Sequence, residues 1–362
     1  MVWRIFPCAA WIYTALAVVR ALLIHLEQGY RADCRWKEPN NTWCKQLYTT
    51  GVVLIGFFIV MLMLKIAFSP IYKYELPPGH RFPMIKYELI PEQLLYEGTI
   101  SEDHFFHPPL LSEEIILLTH SATYWNRLKN QSLTRKEERA IGFPMSTRLV
   151  ERGRHIARGT LECAFFAMQY GVAMNVAGGT HHSFRGHGEG FCVFNDIAIA
   201  ANYLLTQKMV EKILIIDLDV HQGNGTARIF QHDSRVFTFS MHGAKNYPLR
   251  KEVSDLDIGL PDKTEDGPYL SILSATLPRL FDEVAPDLVF YLSGVDVLRG
   301  DKLGRLALSL QGCRERDRLV FETCQRNGVP VAVSMGGGYA ERIAQIIEGH
   351  ANTYRMAQDI FF

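Results

Sequence analysis

Short runs of aliphatic and β-branched residues recur along the chain, and longer amphipathic stretches separate them. The runs are Lys65–Phe68, Ala173–Val176, Ile213–Ile216, Val236–Phe239, Leu288–Leu292 and Val331–Val333. Most are nearly continuous rather than alternating, which predicts parallel strands covered on both faces. Helices are expected over Glu113–Leu128, Met145–Gln169, Asp196–Gln207, Tyr269–Asp282, Arg314–Asn327 and Ala340–Gln358. Thr134 and Glu137 have the spacing of a capping box for one more short helix. Strand alternating with helix predicts an α/β fold: an open, mainly parallel sheet flanked by helices on both faces.

Residues 1–62 do not share this pattern. Ile5 to Val19 is one apolar run and Gly51 to Leu64 is another, with Arg31, Asp33, Arg35, Lys37 and Glu38 between them. A membrane-spanning helix needs about 20 apolar residues, so both runs are marginal spans. Three readings stay open: a membrane hairpin with both ends on the cytoplasmic side, an interfacial or partner-binding helical extension, or a translation start at Met61 or Met63. Membrane contact and anchoring follow only from the first two. The division expected is an apolar extension, 1–62, and one catalytic domain, 63–362.

At 48% hydrophobic residues, 362 residues bury a large core. Lys plus Arg and Asp plus Glu both number 38, so the formal net charge is zero. No overall field attracts nucleic acid, and direct nucleic-acid binding is not expected. A cationic substrate would need a local site. The seven cysteines show no C-x-x-C spacing. Cys163, Cys192, Cys313 and Cys324 therefore read as reduced thiols of a cytoplasmic protein, and no zinc finger is present in the pattern.

The residues with chemistry cluster in one kind of place. Five of the runs lead directly into polar clusters. Ala173–Val176 leads into Gly178-Gly179-Thr180-His181-His182, and Ile213–Ile216 into Asp217-Leu218-Asp219-Val220-His221. The next runs lead into Ser240-Met241-His242-Gly243, Ser293-Gly294-Val295-Asp296 and Gly336-Gly337-Gly338-Tyr339. In an open parallel sheet the carboxyl ends of the strands form the ligand-binding edge, so five segments are expected to converge there. In an extended segment Asp217, Asp219 and His221 share one face. Aspartate and histidine suit zinc, Asp296 can supply a third ligand, and such a set leaves a position open for water. A histidine of the His181-His182 pair can act as general base, and the Tyr339 phenol can donate to an oxyanion.

These motifs, with Gly190-Phe191-Cys192-Val193-Phe194-Asn195-Asp196 and Gln222-Gly223-Asn224-Gly225, resemble the histone deacetylase superfamily. The likeness is greatest to its class IV and related bacterial members and covers residues 63–362. It implies an arginase-like fold and zinc-dependent hydrolysis of acyl-amide bonds, with N6-acyl-lysine in a protein or peptide as the expected substrate. By that resemblance Asp219, His221 and Asp296 hold zinc. His182 is the general base and acid, and His181, held by Asp217, is its electrostatic partner. Asn224 orients the base, and Tyr339 polarises the scissile carbonyl. Gly190, Phe191 and Tyr247 line the substrate channel. Asp217, Asp219, His221, Ser240 and Met241 surround a structural potassium ion. Pro77–Met84 resembles a loop at the pocket mouth.

Asn224 and Gln222 stand where class I members carry aspartate and histidine, which points away from class I. A two-manganese arginase-like site would need a second aspartate two residues before Asp296, where this chain has Gly294. An acetylpolyamine or other small acylated amine remains an alternative substrate, and a non-catalytic metal-binding scaffold an alternative of another class.

Overall fold

The computed structural model describes residues 63–362, which form one compact unit, Met63–Phe362. The expectations for residues 1–62 lie outside the described residues. Among the described residues no helix is long and apolar enough to cross a membrane.

Eight strands form a single sheet: β1 (Lys65–Ala67), β2 (Phe105–Phe106), β3 (Val172–Asn175), β4 (Ile213–Asp217), β5 (Val236–Gly243), β6 (Leu256–Leu260), β7 (Leu288–Leu292) and β8 (Val331–Ser334). Their order across the sheet is β2-β1-β3-β8-β7-β4-β5-β6, and every pairing is parallel. Every residue of β3, β4, β7 and β8 is buried, as the continuous apolar runs predict for strands under helices on both faces.

The helices are α1 (Lys86–Tyr96), α2 (Glu113–Leu117), α3 (Ala122–Lys129), α4 (Arg135–Ile141), α5 (Thr147–Tyr170), α6 (Asp196–Thr206), α7 (Asn224–Phe230), α8 (Asp266–Val284), α9 (Leu310–Asn327) and α10 (Ile343–Phe361). The helix α5 packs on β1, β3 and β8 and against α6, while α8, α9 and α10 pack in sequence. The Thr134–Glu137 capping box starts α4, with the Glu137 amide donating to Thr134 Oγ1 at 3.3 Å and the Thr134 amide to Glu137 Oε2 at 2.9 Å. Cys163, Cys192, Cys313 and Cys324 are all buried free thiols.

Three differences from the sequence pattern have local causes. The helix expected over Glu113–Leu128 is two helices, α2 and α3. Between them the chain turns to bury His120, whose Nδ1 bonds the Phe184 carbonyl at 3.0 Å while Nε2 accepts the Asn195 amide at 3.0 Å. Ser121 then restarts the helix as N-cap, accepting the Tyr124 amide at 3.2 Å. Second, the extended segment expected through His221 ends at Asp217. Beyond it the neighbouring strands give only scattered bonds, from the Leu218 amide to the Leu292 carbonyl and from the Gly243 amide to the Val220 carbonyl, and carboxylates add the rest: Asp217 Oδ1 accepts the Asp219 amide at 3.1 Å and Asp296 Oδ1 the Val220 amide at 3.0 Å. Third, α1, α7, β2 and β6 have no counterpart among the expected elements; α1 carries Pro91 inside it, and β6 alternates burial as an edge strand does.

Candidate active site

The five polar clusters meet at the carboxyl edge of the sheet. At the centre are Asp219, His221 and Asp296, whose ligating atoms all lie within 4.8 Å of one another. His221 Nδ1 lies 3.0 Å from Asp219 Oδ1 and 3.1 Å from Asp296 Oδ2. Asp296 is wholly buried and Asp219 nearly so, and neither forms an ion pair with Lys or Arg among the described residues. Burial, then the Asp219 charge, pushes the Asp296 carboxyl up to about 7. Two buried carboxylates and an imidazole without an ammonium or guanidinium counterion are a donor set for a divalent cation.

The glycines around this cluster are required by space. A Cβ on Gly337 would stand 2.0 Å from Asp296 Oδ2, and one on Gly294 would stand 2.3 Å from Asp219 Oδ2. Gly294 thus does more than lack a second carboxylate: it lets Asp219 occupy the space beside it. The residues present fit one metal ion.

The rings of His181 and His182 lie tilted against each other with centroids 4.1 Å apart but have different partners. His181 Nδ1 lies 2.6 Å from Asp217 Oδ2. Burial works against a charged His181, yet the Asp217 charge and hydrogen bond outweigh it and raise the imidazole to about 9. His182 Nδ1 lies 2.7 Å from Asn224 Oδ1. Burial, followed by the positive charge of His181 and His221, holds His182 well below the usual histidine range. The Asp217 contact thus favours the charged form of one ring, and burial favours the neutral form of its neighbour.

Tyr339 follows the triple glycine on the loop after β8. Its amide donates to Asp301 Oδ2 at 2.6 Å, and Asp301 Oδ1 in turn accepts the Leu303 and Gly304 amides at 2.8 and 2.9 Å. Its ring centroid lies 6.4 Å from that of His221.

A narrow cavity leads to the cluster, lined by Phe82, Phe143, Phe191 and Tyr339 together with Gly190, His182 and Asp219. Phe82, Phe143 and Phe191 form a mutual triangle with centroids 5.1 to 5.2 Å apart. Phe191 keeps its place at positive φ because its amide and that of Gly190 donate to the Ile141 and Ala140 carbonyls at the end of α4. Tyr247 stands beside His182, with centroids 4.9 Å apart and rings nearly perpendicular. Ser240 pairs with Asp217 across β5 and β4, and Met241 follows it, both buried.

Four residues near the centre escaped the sequence reading. Phe143 completes the aromatic wall, and Asp301 holds the Tyr339 backbone. Arg316, wholly buried on α9, donates to the Gly294 carbonyl at 2.5 Å, the Ser293 carbonyl at 3.1 Å and the Leu218 carbonyl at 3.4 Å. It therefore ties the loop that carries Asp219 and His221 to the loop that carries Asp296. Lys86, also buried, donates to the Gly336 carbonyl at 3.3 Å and lies over the Phe82 and Tyr339 rings. Of these, only the Arg316–Asp317 pair offered a signal, and the charged run around it hid that signal.

Comparison with known proteins agrees with this geometry. The family model described as the histone deacetylase domain matches residues 80–354. The chain is 44% identical over 296 residues to an uncharacterized protein of Picosynechococcus sp., covering 82% of this chain and 99% of that one. It is 29% identical to histone deacetylase 2 of Arabidopsis thaliana, over 74% of this chain and 72% of that one. It is 28% identical to the acetoin utilization protein AcuC of Staphylococcus aureus, over 74% of each chain. A crystal structure of an HDAC homolog complexed with SAHA superposes with a TM-score of 0.71 at 24% identity, covering 82% of this chain and 84% of that one. The HDA15 HD domain gives a TM-score of 0.69 at 19% identity, covering 83% and 89%. These two likenesses establish the fold.

Proposed function

The chain belongs to the histone deacetylase domain family, and from that premise we propose that it is a zinc-dependent amidohydrolase removing acyl groups from N6-acyl-lysine side chains. The observation that carries this reading is the juxtaposition of the Asp219–His221–Asp296 cluster with the Asp217-paired His181 and the Asn224-paired His182 at the end of an aromatic channel. Zinc held by those three residues would polarise the acyl carbonyl and acidify a water molecule.

The protein's own groups do the rest. Phe191, Phe82 and Phe143 enclose the apolar stem and exclude water, and Tyr247 closes the side next to His182. Gly190 offers its carbonyl to the substrate amide. His182 Nε2, its Nδ1 held by Asn224, takes the proton of the attacking water and then delivers it to the leaving amine. His181 stays protonated on Asp217 and stabilises negative charge beside the reacting carbon. The Tyr339 hydroxyl donates to the developing oxyanion. The products are a carboxylate and a free amine. A structural potassium ion is proposed around Asp217, Asp219, His221, Ser240 and Met241; the pairing of Asp217 with Ser240 across β4 and β5 supports it.

The test is hydrolysis by the zinc-loaded protein across an acyl-chain series on one lysine peptide, beside an acylated polyamine. Turnover of the peptide supports the reading. Turnover of the polyamine alone moves the substrate to small amines, and no turnover with zinc bound would leave a scaffold.

A further inference from the structure

An amide side chain is an ambiguous partner for a catalytic imidazole. Asn224 can present its oxygen to His182 Nδ1, or turn over and present its NH2 group. The first choice makes Nδ1 the donor and leaves the Nε2 lone pair free. The second makes Nδ1 the acceptor, places the proton on Nε2 and removes the base. An aspartate would carry no such ambiguity, since a carboxylate only accepts.

The structure contains a group that removes the ambiguity. Asn224 Nδ2 lies 2.6 Å from Glu189 Oε1, and Asn224 Oδ1 lies 2.7 Å from His182 Nδ1. A carboxylate oxygen accepts and cannot donate, so the Asn224 atom facing Glu189 is its nitrogen. The opposite atom, facing His182, is then its oxygen, and Nδ1 must donate to it. Asn224 is almost completely buried, which leaves little water to offer the amide another partner. The loop carrying Glu189 is held close to the base: a Cβ on Gly190 would stand 2.6 Å from His182 Cδ2. Other groups beside Glu189 are the Tyr247 phenol and His187, with Nε2 4.0 Å from Oε2.

We infer that Glu189 is a positioning residue for the reaction: its carboxylate fixes the orientation of the Asn224 amide and, through it, the Nδ1–H tautomer of His182. This inference rests on the reading of His182 as general base, but the tautomer itself is measurable without turnover.

The experiment compares wild type, Glu189→Met and Glu189→Gln as full-length, zinc-loaded proteins. Three readouts are taken: kcat and KM on an acyl-lysine peptide, zinc content, and the tautomer of His182 from 15N-histidine NMR. The His182 signal is assigned by its absence in His182→Ala. Methionine has no acceptor, so the Asn224 amide loses its anchor. The Nδ1–H form should cease to be the single tautomer, and kcat should fall about 10-fold or more, because general-base catalysis is worth about 10²–10⁴. KM and zinc content should stay near wild type. Glutamine keeps the size of the side chain but can present its oxygen or its NH2 group, so it too should give a mixed tautomer and a reduced kcat. An Nε2–H tautomer in wild type overturns the inference even if Glu189→Met fails to fold. So does Glu189→Met or Glu189→Gln with an unchanged tautomer and kcat. Absence of hydrolysis by wild type would instead reject the proposed reaction and leave the tautomer comparison to decide this point.

Discussion

Replacing Asn224 with aspartate tests the base through its charge. As the proposed base, His182 would act only when neutral, so kcat/KM should fall as pH drops through its pKa in the free enzyme. Burial and the neighbouring cations hold that pKa well below the usual histidine range, so the wild-type acid limb should lie below about pH 6.5. A carboxylate in place of the Asn224 amide would put a negative charge against Nδ1, now 2.7 Å from Oδ1. With charge centres about 4 Å apart and an effective dielectric of about 20, the imidazolium gains about 4 kcal/mol, or roughly 3 pH units, as an upper figure. The sign is upward, because the added charge favours the protonated ring. Glu189 reduces the effect. Its oxygen lies 2.6 Å from Asn224 Nδ2, so the new carboxylate would abut an existing one, and such a pair holds on to a proton. Asn224→Asp should therefore move the acid limb only part of the way, and Asn224→Asp with Glu189→Gln should move it further, by about 2–3 units. The assay is kcat/KM against pH on an acyl-lysine peptide, with zinc content measured at each pH. An acid limb unmoved in the double variant with zinc still bound would show that the limb does not belong to His182.

Metal analysis should give one zinc per chain. Asp296→Ala should lose it, and so should Gly337→Ala, whose added Cβ would overlap the Asp296 carboxylate, while circular dichroism shows the fold retained. Tyr339→Phe should lower kcat by about 10²–10³ without loss of zinc. Asp301→Asn should also lower kcat but cost little more in the Tyr339→Phe background, since Asp301 acts by holding the Tyr339 amide; additive losses would separate the two residues. Arg316→Met leaves Asp317 buried without its guanidinium and should reduce stability by about 3–5 kcal/mol in urea unfolding; a loss under about 1 kcal/mol would mean that the loops stand without it.

The legible parts of this protein are those whose meaning is local. Ile213–Ile216 and Leu288–Leu292 read as central strands because they are unbroken apolar runs, and the fold buries every one of their residues. Leu256–Leu260 did not read as a strand, since Asp257 and Gly259 interrupt the apolar pattern on an edge that needs only one covered face. Asp219, His221 and Asp296 were legible because ligand type and strand end coincide. Arg316 was not: within Arg314-Glu315-Arg316-Asp317-Arg318 it resembles one more charge on a solvated helix, and only the tertiary fold turns it inward to carbonyls at Leu218 and Gly294. Lys86 and Gly336 lie 250 residues apart in the chain, and nothing in either segment announces the other.

The carboxylates explain why the loops converge as closely as they do. Asp217 gives Oδ1 to the Asp219 amide and Oδ2 to His181. Asp219 gives Oδ1 to the His221 amide and Oδ2 to the Gly337 amide. Asp296 gives Oδ1 to the Val220 amide and keeps Oδ2 beside His221. Asp217 and Asp296 therefore each work twice, once as a splint for a loop beyond the end of a strand and once at an imidazole, while Asp219 braces two loops and keeps Oδ1 3.0 Å from His221 Nδ1. Such splints fix the donors in place before substrate arrives, which is the condition for strong electrostatic stabilisation. An amide cannot replace any of these acids in both tasks. At Asp296 its NH2 group would face either the Val220 amide, donor against donor, or the position of the cation. Shape is preserved and function is not, because what the fold uses at this edge is two acceptors per side chain.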